Sequence, residues 1–265
     1  MPASRRPSVV ATPGGAALTL AVGQNGTGTL TIQSGGTVTD ALGAVGNLGG
    51  SLGTVTVTGA GSNWFNVGSV VVGGLGTGTL TIQNGGTVNS GGGSVGQSVG
   101  STGTVTVTGP GSGWFNGPGG GLNIGSFGTG TLVIANGGTV FNFTAPAANI
   151  GNGPGSQGTV TVTGAGSSWI NSSGVNIGNL GTGTLTIADG GIVAGPVTIA
   201  TNAGATGTLN IGAGAGNPAA APGMLTATSV AFGAGTGTLT RPPTMSLRPR
   251  SAAMAPSTCL RASPP

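Results

Sequence analysis

The sequence contains no His, no Lys and no Tyr, a single Cys, and two acidic side chains, Asp40 and Asp189. Each absence removes a class of chemistry. Without His, neither a Ser-His-Asp triad nor a Cys-His pair can be assembled. A zinc site of Cys and His is likewise out of reach. The two carboxylates lie about six repeats apart and cannot form the close acid-base pair of a glycosidase. A phosphate-binding loop of the Walker type needs a Lys. The calcium-binding nonapeptide solenoid needs an Asp in each turn, where this chain has Gly, Asn and Thr. Gly-x-Gly strings discriminate nothing in a chain with 61 Gly. The sequence therefore predicts no catalytic residue, no metal ligand, no cofactor and no cofactor-binding residue. The chain is read as no enzyme.

Charge is scarce as well, at 3% of residues. The high pI, near 11.7, comes from Arg5, Arg6, Arg241, Arg248, Arg250 and Arg261, all near the ends. A nucleic-acid partner needs cations spread along its contact face, so none is predicted. Cys259 alone rules out an intrachain disulfide framework. No apolar run is long enough for a membrane-spanning helix. The N-terminal stretch has two Arg and then apolar residues, but Pro13, Gly14 and Gly15 break it, so it reads poorly as a secretory signal.

What is present is repetition. The string GTGTLTIQNGGTV, Gly76 to Val88, has near copies beginning at Gly26, Gly128 and Gly181. The Gly that opens Gly-Thr-(Leu/Val) falls at Gly28, Gly53, Gly78, Gly103, Gly130, Gly158, Gly183, Gly207 and Gly237. A period near 25 residues suits one coil of a solenoid. Within each unit, apolar and Thr residues alternate: Leu80 and Ile82 on one face, Thr79 and Thr81 on the other. That is the period of a half-buried strand. Leu/Ile units alternate with Val/Val units, which makes a super-repeat of two coils. Two further short strands flank each Gly-Thr strand, one ending in Gly and one holding either GGTV or a Trp. Gly, Asn and Ser turns separate them. The fold expected is all-β: a right-handed parallel β-helix of eight to nine coils, about 40 Å long at ordinary strand spacing. The expected domains are an irregular segment over 1–17, the β-helical repeat over 18–240, and a disordered basic tail over 241–265.

GTGTLTIQNGGTV followed by GTVTVTGPGSGWFN, Gly103 to Asn116, resembles the repeat of bacterial autotransporter (type V secretion) passengers and of some PEP-CTERM-associated surface proteins. The resemblance covers about Val22 to Leu239. It implies a β-helical stalk that is secreted or exposed at the cell surface, outer-membrane associated, with an adhesive role toward host or matrix glycans or proteins. It carries over no catalytic residues. Such passengers have a signal peptide and a translocator barrel. Neither is recognisable in this chain, which accordingly reads as a fragment. After Leu239 the repeat gives way to a Pro- and Arg-rich string. Back-translation with permitted codons and a two-base shift yields a β-forming string, so Arg241 to Pro265 is read as a frameshift product.

Trp64, Trp114 and Trp169 recur every second coil as Trp-Phe-Asn, Trp-Phe-Asn and Trp-Ile-Asn. They are the candidate ligand contacts, as an aromatic ladder for glycan stacking. The competing reading makes them core fillers, since large aromatics chiefly supply buried area. The Thr-x-Thr rows, one per coil, resemble an ice-binding array; the competing reading is that Thr is a good β-former on an outer face. Asp189 aligns with Ser34, Asn84 and Asn136 just before Gly-Gly and is read as a turn residue. Asn25, Asn142 and Asn171 fit the N-glycosylation pattern, which the bacterial resemblance makes coincidental. Uncovered coil ends predict aggregation.

Overall fold

A computed structural model of the chain describes residues 9–10, 19–117, 119–143, 146–214 and 220–241. The predicted frameshifted tail beyond Arg241 and most of the segment over 1–17 lie outside them. The described residues form a parallel β-solenoid of about eight turns with about 26 residues per turn, and no helix.

Each coil but the last, which has two among the described residues, lays down three strands in fixed order. In the second coil these are Leu42–Val45, Leu52–Thr58 and Asn63–Asn66. Stacking the coils makes three sheets. The leading sheet has ten strands, the long-strand sheet nine and the indole sheet, which holds the three Trp, eight. Among the described residues every pairing between strands is parallel except at the N-terminal edge. There Val9–Val10, inside the segment read as irregular, runs antiparallel to Thr19–Val22. One isolated antiparallel bridge joins Ala188 to Pro222.

Register follows the repeat. Gly28, Gly53, Gly78, Gly103 and Gly130 stack in one column of the long-strand sheet. Gly78 shows why that column is Gly. A Cβ there would collide with the backbone of Gly73 and with the Val45 carbonyl of the coil before. Gly73 itself has φ of +73°, a conformation that costs Gly little. The long strand and the corner preceding it therefore touch backbone to backbone. Asp189 has φ of 50°, like Ser34, Asn84 and Asn136 at 57°, 53° and 51°. It occupies the left-handed corner position expected of it.

The core is one continuous apolar column whose side chains are mostly inaccessible to solvent. Leu30, Val55, Leu80, Val105, Leu132, Val160 and Leu185 stack in a single row. The two-coil alternation has a packing cause. Trp64 lies in the coil of Gly43 and of Val55 and Val57. Trp114 lies in the coil of Gly93 and of Val105 and Val107. A Cβ at Gly43 or Gly93 would sit 2.5 Å from Cζ2 of the Trp in its own coil. The intervening coil has Val70, Val88, Leu80 and Ile82 instead, all fully buried. Large is thus offset by small within each coil, which keeps interior volume near constant along the rod.

Candidate functional site

The structure puts Trp64, Trp114 and Trp169 inside the solenoid, each with 0% exposure. They stack alternately with Val in the indole sheet: Val38, Trp64, Val88, Trp114, Val140, Trp169, Val193. Their ring faces are covered by core atoms, so the ladder of stacking surfaces expected of these three residues is not on the surface. The cause is phase. Strand residues alternate between faces, and the Trp share the inward face with the Val of GGTV.

Two residues on, the same inward face carries a polar stack that sequence reasoning missed. It comprises Asp40, Asn66, Ser90, Asn116, Asn142 and Asn171, all at most 5% exposed. Trp114 Nε1 donates to Ser90 Oγ at 2.9 Å, and Ser90 Oγ donates to Asn116 Oδ1 at 2.7 Å. Asn116 Nδ2 then donates to Asn142 Oδ1, and Asn142 Nδ2 to Asn171 Oδ1, both at 2.8 Å. From Ser90 to Asn171 the bonds run along the solenoid axis, while Asn171 Nδ2 and Trp169 Nε1 at the far end have no hydrogen-bond partner among the described residues. Its signal in the sequence was the Asn of Trp-Phe-Asn, a polar residue in an inward phase. Two of the glycosylation-pattern residues, Asn142 and Asn171, belong to this column and are buried.

Asp40 heads the stack and accepts from Trp64 Nε1 at 2.9 Å. Burial pushes its carboxyl up to about 6, against the opposing influence of the Trp64 and Asn66 side chains. Asp40 Oδ1 and both polar atoms of Asn66 have no hydrogen-bond partner among the described residues. Asp189 stands six coils away at a surface corner, where it accepts from Thr163 Oγ1 at 3.0 Å. The two carboxylates therefore share no site. Among the described residues no group of three or more His, Cys, Asp or Glu gathers.

The outer surface offers two regular features. On the long-strand sheet, one row holds Thr29, Thr54, Thr79, Thr104, Thr131, Thr159, Thr184, Thr208 and Thr238 in unbroken register. The parallel row two residues on is interrupted by Val133 and Asn210. On the indole sheet, the outward row runs Thr39, Phe65, Asn89, Phe115, Phe141, Ile170. Beside it, Val67 is 70% exposed and Phe143 51%. The Phe141 and Phe143 ring centroids lie 3.9 Å apart. Of these, Phe65, Val67, Asn89, Phe115 and Phe143 border a groove of about 510 Å³.

Comparison with known protein families gives no match. A curated relative, the uncharacterized lipoprotein YdeK of Escherichia coli (strain K12), is 40% identical over 120 residues, 44% of this chain. The chain spans only 9% of that relative's length. Among solved structures, the TibC-catalyzed hyper-glycosylated TibA fragment is similar at 16% identity with a TM-score of 0.29, covering 83% of this chain and 89% of that one.

Proposed function

We propose that this chain is a non-enzymatic structural stalk segment of a bacterial secreted or surface-exposed passenger, with a role in adhesion. The observation that carries the reading is the unbroken in-register core from Leu20 to Ile211. Every coil spends its inward positions on stacking against the next, which builds length. The repeat motifs that resemble autotransporter and PEP-CTERM-associated passengers support the surface assignment, as does the lipoprotein description of the curated relative. An antibody raised against the repeat tests it on cells of the source bacterium. Binding to intact cells is expected, with loss of the signal after protease shaving. Binding only after lysis would overturn the location.

A ligand-binding solenoid is the second reading. For ice, the favouring observation is the unbroken row of nine Thr, and a measurement showing no thermal hysteresis removes it. For glycans, the buried Trp supply no surface, and the outward Phe row takes their place.

A further inference from the structure

We infer that the groove on the outer face of the indole sheet binds a neutral glycan chain. The inference deepens the adhesive part of the function proposed above and relies on that reading only for its biological use. The groove crosses four coils between Phe65 and Phe143, with Asn89, Gly91, Phe115 and Gly117 along it.

Three features make it a platform rather than a chance hollow. First, over three successive coils aromatic and polar residues alternate in register, Phe65 to Asn89 to Phe115. Phe65 and Phe115 are two strand spacings apart, about 10 Å, which is the scale of a disaccharide. Second, Phe115 lies down over the sheet: a Cβ at Gly113 would collide with its ring. A reclining ring turns a face outward, where the apolar face of a sugar can stack. Third, the groove is open at Gly117 without the fold requiring Gly there. Gly117 is not among the residues with positive φ, and the nearest atom to a Cβ there would be the Ser90 carbonyl oxygen at 3.7 Å. A side chain would be tolerated by the backbone and would fill the groove.

The surroundings select the ligand class. None of the charged side chains among the described residues, Asp40, Asp189 and Arg241, borders the groove. Among the described residues a polyanion or polycation would find no counter-charge there. The indole-sheet strands here are paired on both sides, so a peptide cannot add to them as a further strand. Asn89 donates through Nδ2 to Asn63 Oδ1 at 2.8 Å, which leaves its own Oδ1 to accept from a hydroxyl. Stacking faces with a few polar groups suit a neutral sugar chain.

The test uses the full chain in dilute solution on an array of neutral oligosaccharides beside sialylated and sulfated ones. Binding is expected on neutral members and is weakened at least tenfold by Gly117→Val and by Phe115→Ser, with thermal unfolding unchanged. Phe127→Ser, at an exposed corner outside the groove, is expected to bind as the parent does. If Gly117→Val perturbs folding, Phe65→Ser replaces it with the same expected loss. The inference is overturned if no neutral oligosaccharide binds, if only charged ones bind, or if the groove variants bind as the parent does. It is equally overturned if those variants abolish self-association instead, which would reassign the groove to a second copy. None of these outcomes alters the surface reading, which the intact-cell experiment decides separately.

Discussion

Asp40 stands at the head of a buried stack that is otherwise amide and hydroxyl, and a carboxylate is the costliest member such a stack can have. Its folded pKa, about 6, is raised from 3.8. The folded chain therefore holds this proton through a range in which the unfolded chain has lost it. Stability from this group is complete below about 4 and is lost as pH rises through about 6. The loss is on the order of 1–2 kcal/mol once screening is allowed for. Asp189 is the only other acidic side chain, so few groups compete for the signal. Urea unfolding at pH 4 and pH 7 is expected to show the lower midpoint at pH 7. Asp40→Asn is expected to raise the pH 7 midpoint and flatten the profile, because an amide can accept from Trp64 and donate to the unpartnered Asn66 oxygen. An unchanged pH profile in the variant would place the titration elsewhere. The direction of Trp64 was not legible at this scale. Trp64-Phe65 is apolar in both phases of a strand, so alternation alone does not say which ring goes inside. The register with Val38 and Val88 does.

At the scale of the elements, the Gly-Thr strands were readable in full, because alternation and the recurring Gly agree on one face and one register. The leading strands were harder. Gly43 and Gly93 each sit within a strand opposite an indole. Their meaning depends on a residue some twenty positions later in the same coil. This coupling predicts a compensating pair. Gly93→Val alone overpacks the coil, at about 1–3 kcal/mol. Trp114→Val alone leaves a cavity, at roughly 3–5 kcal/mol. The double variant is expected to be more stable than the sum of the two losses by about 1–2 kcal/mol, since the new Val fills part of the vacated space. Denaturant midpoints of the four proteins measure the coupling, and strict additivity would mean that the two positions do not share a cavity.

For the whole molecule, the ends differ from the middle. Interior coils have both edges paired, but the outer edge of Thr236–Thr240 has no neighbouring strand among the described residues. Phe232, in the same last coil, is 56% exposed. An uncovered parallel edge with apolar residues beside it is a template for another chain. Light scattering is expected to grow with protein concentration, and Thr238→Lys, which puts a charge on that edge, is expected to reduce it. A concentration-independent monomer would show that the edge is protected.

The sequence by itself determined the period, the parallel stacking, the alternation of Thr and aliphatic faces, and the scarcity of charge, with no His or Lys and two carboxylates. Those properties are local or compositional, and the repeat averages them over many copies. Only the tertiary structure decided which aromatic row is core and which is surface. It also decided that the Asn of Trp-Phe-Asn lines a buried column, and that Gly43 and Gly93 make room for indoles. Each of these depends on what stands across the coil or one coil away, at a distance that strand alternation does not encode.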